Sequence, residues 1–253
     1  MNISNKIPWW FKILLKLLLS RLPFNYSLWS KLNLFKHGDM NSFQYAYKIF
    51  LKHVDTETIS LKNKVILELG PGDSLATGLI ASSYDASSIL INPSNFESFS
   101  MKKYSPLLEF LGKEVKNIKD HTNCDSINDF CHINNITYLT DGTKSLETIK
   151  SNSVDIIFTN AVLEHVYYSD FENVIKQFQR VLKKDGYMSH QIDLKDHLGG
   201  SLNNLRFSKK IWETDLFKTS GFYTNRIRYK KMNKIFNKYG FKEVRSNITK
   251  WND

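Results

Sequence analysis

Residues 65–74 read VILELGPGDS: an apolar run broken only by Glu68, then two glycines flanking Pro71. An apolar run this short, without polar alternation, is what a strand buried on both faces requires, and such strands belong to parallel sheets covered by helices. The segment after it, SLATGLIASSY (74–84), reads as a helix. The same alternation recurs. SSILIN (87–92) is a strand halted by Pro93, Ser98–Leu111 a helical stretch, NITYLT (135–140) and VDIIFTN (154–160) two further strands. DFENVIKQFQRVLKKDG (170–186) is an amphipathic helix with Phe171, Val174, Ile175, Phe178, Val181 and Leu182 on one face and Gly186 as its stop. YMSHQID (187–193) is a fifth strand, NKIFNKYG (233–240) a helix, and FKEVRSNI (241–248) another strand. Alternation of this kind predicts an α/β fold with a doubly wound, mostly parallel sheet and, because the chain ends soon after residue 248, a sixth strand or a shortened final hairpin.

The 253 residues, 42% of them hydrophobic, suit one α/β domain with an appendage: a helical extension over 1–58 and a main domain over 59–253. The net charge of +10 calls for an anionic partner. Much of that charge comes early, with Lys6, Lys12, Lys16, Arg21, Lys31 and Lys36 and no acid before Asp39. Within this segment PWWFKILLKLLL (8–19) is a helix too short and too interrupted to span a bilayer, without a signal-peptide cleavage site. It reads either as a core helix docked on the domain or as a peripheral membrane contact through residues 8–20, tryptophans at headgroup depth. Two cysteines, Cys124 and Cys131, imply no disulfide framework, and their spacing with His121 and His132 matches no common zinc site. No nucleic-acid motif or stacking platform stands out. A cytoplasmic protein, at most peripheral at the inner face of the membrane, is expected.

In a doubly wound sheet ligands bind outside the carboxyl ends of the strands, so the turn Gly70-Pro71-Gly72-Asp73-Ser74 is the first candidate site. Glycines allow the sharp turn and a close ligand approach, and Asp73 or Ser74 is placed to cap the next helix. A third glycine of the dinucleotide fingerprint is replaced by Leu75, and the G-K-[ST] of a phosphate loop is absent. The arrangement Glu68-x-Gly70-x-Gly72, followed by TDG (140–142, with Asp141 and Gly142) and TNAVLEHV (159–166), resembles the class I S-adenosylmethionine-dependent methyltransferases over roughly residues 60–193. SHQIDLKDHLGGSLNNLRF (189–207) and SGFYTNRIR (220–228), with GPGDS and VLEHV, resemble a bacterial subgroup encoded with surface-polysaccharide genes. The resemblance implies S-adenosyl-L-methionine as cofactor, held by Glu68, Gly70, Pro71, Gly72, Ser74, Asn92, Asp141, Gly142 and Asn160. Asn92 departs from the family, which carries an acid there to accept both ribose hydroxyls; an amide accepts without a charge.

The implied reaction is O-methylation of a sugar in a polysaccharide or in a nucleotide- or lipid-linked glycan precursor. A lipid or other small-molecule acceptor at the membrane surface, or a non-catalytic scaffold on the same fold, are the alternatives. A hydroxyl acceptor needs a base near working pH. His165 after the fourth strand, and Asp193, Asp196 and His197 at and beyond the fifth, are the catalytic candidates, His197 as base with an aspartate orienting it. His190, inside the strand, reads as buried and merely hydrogen-bonded. No metal is expected, although Asp193 and Asp196 with a histidine leave a magnesium-type ion open. The stretch around 194–228 is too long for a bare connection and reads as a lid or acceptor wall in which Arg206, Tyr223, Asn225 and Arg226 face the acceptor.

Overall fold

Alternating side chains along the central strands explain the layers of the molecule. In the computed structural model, which describes residues 8–19, 42–95, 99–115, 117–196 and 202–249, β1 (Val65–Leu69) turns Ile66 to one face and Leu67 and Leu69 to the other. With β2 (Ser87–Ile91), β3 (Ile136–Leu139), β4 (Val154–Asn160) and β5 (Leu182–Gln191) it forms a five-stranded sheet of order β3-β2-β1-β4-β5, every adjacent pair parallel. This is the doubly wound fold expected. Strand order reverses between β1 and β4, which puts the ligand crevice at their carboxyl ends.

One face is covered by α2 (Phe43–His53), α3 (Ala76–Ser83), α4 (Ser105–Glu114) and α5 (Ile127–Ile133), packed around Phe50, Leu79, Leu90 and Phe158. The other is covered by α6 (Phe171–Val181) and α9 (Tyr229–Lys238), around Leu67, Ile157, Ile175 and Phe178. A third, smaller cluster lies outside the sheet. There Ile13 of α1 (Trp9–Leu19) meets Trp212 and Phe217 from the short helices α7 (Lys209–Trp212) and α8 (Asp215–Lys218), with Phe222 and Tyr223.

Three sequence expectations are corrected. The helix read over 170–186 ends at Val181: Leu182 is already extended (φ −69°, ψ 138°), and Lys183–Gly186 belong to β5. Between paired positions Val154↔Leu182 and Ile156↔Tyr187, β4 advances two residues and β5 five, so the Lys183–Gly186 stretch is a bulge and Gly186 no helix stop. The bulge is pinned by Asp155, whose carboxylate takes Lys64 at 3.1 Å, Lys183 at 2.7 Å and the Val65 N–H at 2.9 Å. Burial works against that charge, but these bonds outweigh it and hold the carboxyl below its usual range. Second, FKEVRSNI forms no strand; Val244 is 97% and Ile248 60% exposed, so neither has a neighbouring strand to bury against. Third, the helical stretch begun at Ser98 is a 3₁₀ turn at Met101–Lys103 followed by α4, with Pro106 in the first turn. The segment of His121, Cys124, Cys131 and His132 contains α5, opened by a reciprocal Ser126–Asp129 capping box.

Candidate active site

Three turns at the carboxyl edge are tied to one another by backbone hydrogen bonds that continue the sheet past its strands. Gly70 N–H donates to Ile91 O (2.9 Å), Asn92 N–H to Leu139 O (2.8 Å), and Gly142 N–H to Asn92 O (3.0 Å). Gly70, Gly72 and Gly142 have φ of +83°, +70° and +56°, left-handed values that side chains rarely adopt. A Cβ on Gly70 would also lie 2.4 Å from Val162 Cγ2, so the segment after β4 presses directly on the glycine turn.

Asn92 is buried at the centre of this arrangement. Its Nδ2 donates to Gly72 O at 3.0 Å and to the Tyr138 hydroxyl at 3.3 Å. Gly72 O can only accept, which fixes the amide with Oδ1 on the other side as an uncommitted acceptor. The turn therefore fits an adenosyl cofactor: an open glycine backbone and one acceptor for a ribose hydroxyl. Asp141 is exposed beside Gly142. Ser74 Oγ accepts the Ala76 N–H at 3.2 Å, so serine rather than Asp73 steadies the start of α3, which begins two residues later than expected. Pro71 is buried in the turn. Glu68 lies beneath it, 1% exposed, on the Ile66 face; its carboxylate accepts from the Thr77 hydroxyl of α3. Burial pushes this carboxyl up to about 7, against the lowering effect of Thr77.

Beyond β4 and β5 lies a small open cleft, about 10 Å3 inside or room for about one water molecule, walled by Glu164, Asp193–Lys195, Asn204 and Thr224–Arg228. Glu164 Oε1 accepts the Asp193 N–H at 3.0 Å. Asn225 ties this wall to the segment after β4, its Nδ2 donating to Leu163 O (2.7 Å) and Val166 O (2.9 Å) and its N–H to Glu164 O (2.8 Å). Asn204 donates its N–H to Asp196 Oδ2 and its Nδ2 to Thr224 Oγ1, both at 2.9 Å. Arg228 Nη1 donates to Leu194 O at 2.7 Å. Each of these three side chains keeps one buried polar atom without a partner: Glu164 Oε2, Asn204 Oδ1 and Arg228 Nη2. Burial raises the Glu164 carboxyl to about 7.

The sequence candidates fall in different places. Asp193 is exposed at the cleft, and Asp196 is buried, its Oδ2 accepting the Asn204 N–H. His165 Nδ1 donates to Tyr223 O at 2.8 Å, joining the β4 segment to the third cluster. His197 lies outside the described residues. Arg226 is among the residues that wall the cleft; its Nη1 donates to Asn204 O and Phe207 O, and the guanidinium sits 5.5 Å from the Trp212 ring. His190 is enclosed between Phe178 and Phe236, ring centroids 5.8 and 5.7 Å away, with Thr159 Oγ1 at 2.9 Å; burial lowers it to about 3. Among the described residues no group of three potential ligands could hold a metal ion.

Sequence reasoning missed His53, at the end of α2. Its ring stacks on Phe158, with Nδ1 2.8 Å from Ser189 Oγ and Nε2 3.3 Å from Asn160 Oδ1. Because Oδ1 only accepts, Nε2 carries the proton, and burial lowers the pKa so the ring stays neutral. His53 thereby holds Asn160 with its Nδ2 turned away. The helical spacing of FQYAYKIFLKH was the available signal. Asn204, Thr224 and Arg228 carried none, because their convergence depends on how the long segment folds back.

The sequence profile of a methyltransferase domain matches residues 67–189. No curated protein matches the chain. Among solved structures, phosphoethanolamine N-methyltransferase 2 of Haemonchus contortus, in complex with phosphomonomethylethanolamine and S-adenosylhomocysteine, is 18% identical; the match covers 79% of this chain and 37% of that one, at a TM-score of 0.44. A Leishmania major S-adenosylmethionine-dependent methyltransferase is 14% identical over 94% of this chain and 75% of its own, at a TM-score of 0.46. The chain thus spans little more than a third of the worm enzyme's length. Strand order and the glycine turn agree with the profile: residues 67–189 match a methyltransferase domain, and the sheet order and the turn after β1 are those such a domain requires.

Proposed function

We propose that the enzyme methylates a hydroxyl group, on a sugar of a nucleotide- or lipid-linked glycan precursor. The observation that carries this reading is that three residues walling the cleft, Glu164, Asn204 and Arg228, each keep a buried polar atom without a partner among the described residues, two oxygens and one guanidinium N–H. A neutral hydroxyl satisfies both kinds, accepting from Arg228 Nη2 while donating to Glu164 Oε2 or Asn204 Oδ1. An ammonium would face Arg228 and an anionic oxygen would face Glu164, each paying for a like charge in a desolvated place. When bound, S-adenosylmethionine supplies a methyl group on a sulfonium that needs no further activation. Gly70 and Gly72 leave room for it, Asn92 Oδ1 takes a ribose hydroxyl, and Val162 links that turn to the segment bearing Glu164. The chain's task is then to hold the acceptor oxygen in line and to accept its proton. In this reading Glu164, raised to about 7, is the proton acceptor. Asp193 and Asp196 shape the cleft, and His197 stands beside Asp196 as the second candidate.

The test is methyl transfer to nucleotide-linked and lipid-linked hexoses, scored by product mass, with pH profiles. The expected product carries an O-methyl group; the rate rises through about pH 7, and Glu164→Gln lowers kcat by on the order of 100-fold. Methylation of amines only, or full rates in Glu164→Gln, would contradict this reading; a loss confined to His197→Ala would move the base to the histidine.

A further inference from the structure

Helix α1 is 11 residues long, too short to persist in water without burying its apolar surface. The domain covers only part of it. Ile13 is buried and Leu17 half-buried in the third cluster, while Trp10, Leu14 and Leu18, at i, i+4 and i+8, form an adjacent stripe with Phe11, 43–59% exposed. The elements that receive α1 repeat this arrangement. Trp212 and Phe217 are buried in the cluster, whereas Leu205, Ile211 and Leu216, on the same segment, are about half exposed.

The charge around this unit is mostly positive: the segment 202–226 carries five lysines and arginines against Glu213 and Asp215. Lys209 and Lys231 converge on the Tyr168 ring, their Nζ atoms 3.6 and 4.4 Å from its centroid, and neither makes an ion pair among the described residues. Lys218 lies 5.6 Å from the centroid of Tyr167, and Tyr167 packs edge-on against Tyr223 of the cluster at 5.6 Å. Lys210 is exposed on α7. The sequence adds six cations and no acid before Asp39.

An apolar stripe rimmed by lysines, of which Lys218 alone is paired among the described residues, with Glu213 at 4.0 Å, suits the boundary between acyl chains and acidic headgroups, where each nearby lysine adds attraction. A second copy of the chain fits less well, because a two-fold contact would set these lysines against themselves. No helix among the described residues is long and apolar enough to cross a membrane, so the contact would be peripheral. The same unit supplies Asn204, Thr224 and Arg226 to the cleft, so whatever surface it rests on lies beside the acceptor's entry.

We propose that α1 and the segment 202–226 form one platform for docking on an anionic lipid surface, from which a lipid-linked acceptor enters the cleft. The acceptor part rests on the proposed function; the docking part does not.

The test is flotation of the full chain with phosphatidylcholine vesicles, with and without phosphatidylglycerol. Binding is expected to the mixed vesicles only, weakening as salt rises. The pairs Leu14→Glu with Leu18→Glu, and separately Lys209→Glu with Ile211→Glu, should each lower partitioning by about tenfold or more, with circular dichroism and S-adenosylhomocysteine affinity unchanged. Any of four results overturns the proposal: no vesicle binding; equal binding to neutral vesicles; wild-type binding by the Lys209→Glu, Ile211→Glu variant; or a dimer in sedimentation equilibrium that Leu14→Glu dissociates. No methyl donor or acceptor enters the assay. Its failure therefore leaves transfer to soluble nucleotide-linked sugars standing, and failure of that transfer leaves the flotation result intact.

Discussion

Two carboxyls, Glu68 and Glu164, sit where water does not solvate them, and both are raised from 4.5 to about 7 by burial. Their linkage to stability has a definite sign. Below about pH 4.5 each is protonated folded and unfolded, and the stability due to its raised pKa is fully present. As pH rises toward about 7 the unfolded chain releases these protons first, so that stability is lost across the window. His190, lowered to about 3, tilts the other way below its ordinary 6.5, so the glutamate contribution must be read by difference. In thermal melts, Glu164→Gln should flatten the decline between about pH 4.5 and about pH 7 relative to the native protein; parallel curves would mean that Glu164 is solvated. The two glutamates differ in their partners. Thr77 occupies the Glu68 carboxylate from within the fold, whereas Glu164 Oε2 has no partner among the described residues.

Among the elements, β5 is the most demanding, because its extra residues must be absorbed opposite Asp155. Gly186 makes that possible: a Cβ there would lie 2.6 Å from Asp155 O, a backbone atom that cannot swing aside. Gly186→Ala should therefore destabilise the protein by about 1–3 kcal/mol in urea unfolding, and an unchanged midpoint would show that the bulge yields freely. This element also shows what can be read from a sequence. VILEL and VDIIFTN were legible because a strand buried on both faces leaves a continuous apolar run. Helix α6 was legible through Phe171, Val174, Ile175 and Phe178, but its end was not. VLKKDG has a helix's composition, and only pairing with Val154 and the cations around Asp155 draw Leu182 onward into the sheet. FKEVRSNI has strand propensity, yet no strand pairs with it. The glycine turn and Asn92 could be found from spacing alone, whereas the residues that share the cleft with Glu164 lie 29 to 64 positions away, from Asp193 to Arg228, a convergence no local pattern encodes.

At the scale of the whole molecule, the sheet order concentrates the chemistry on one edge. The reversal between β1 and β4 opens the crevice, the glycine turn and Asn92 line its first half, and the segment after β4 carries the chain from Val162 at that turn to Glu164 in the cleft. The segment from 202 to 228 then walls the far side with Asn204 and Thr224–Arg228, and between them it carries Trp212, Phe217, Phe222 and Tyr223 of the third cluster. All of this depends on the turn being a working cofactor seat with asparagine where the related enzymes carry an acid. Calorimetric titration with S-adenosylhomocysteine tests that most directly, on the native protein, Gly72→Val and Asn92→Asp. The account predicts saturable binding to the native protein and loss in Gly72→Val, since valine resists a φ of +70°. It predicts binding weaker by about 1 kcal/mol, roughly fivefold, in Asn92→Asp, where a carboxylate oxygen would replace the Nδ2 that now bonds Gly72 O at 3.0 Å. No binding to the native protein, with binding gained in Asn92→Asp, would contradict it and leave the fold as a scaffold whose cofactor seat has been lost.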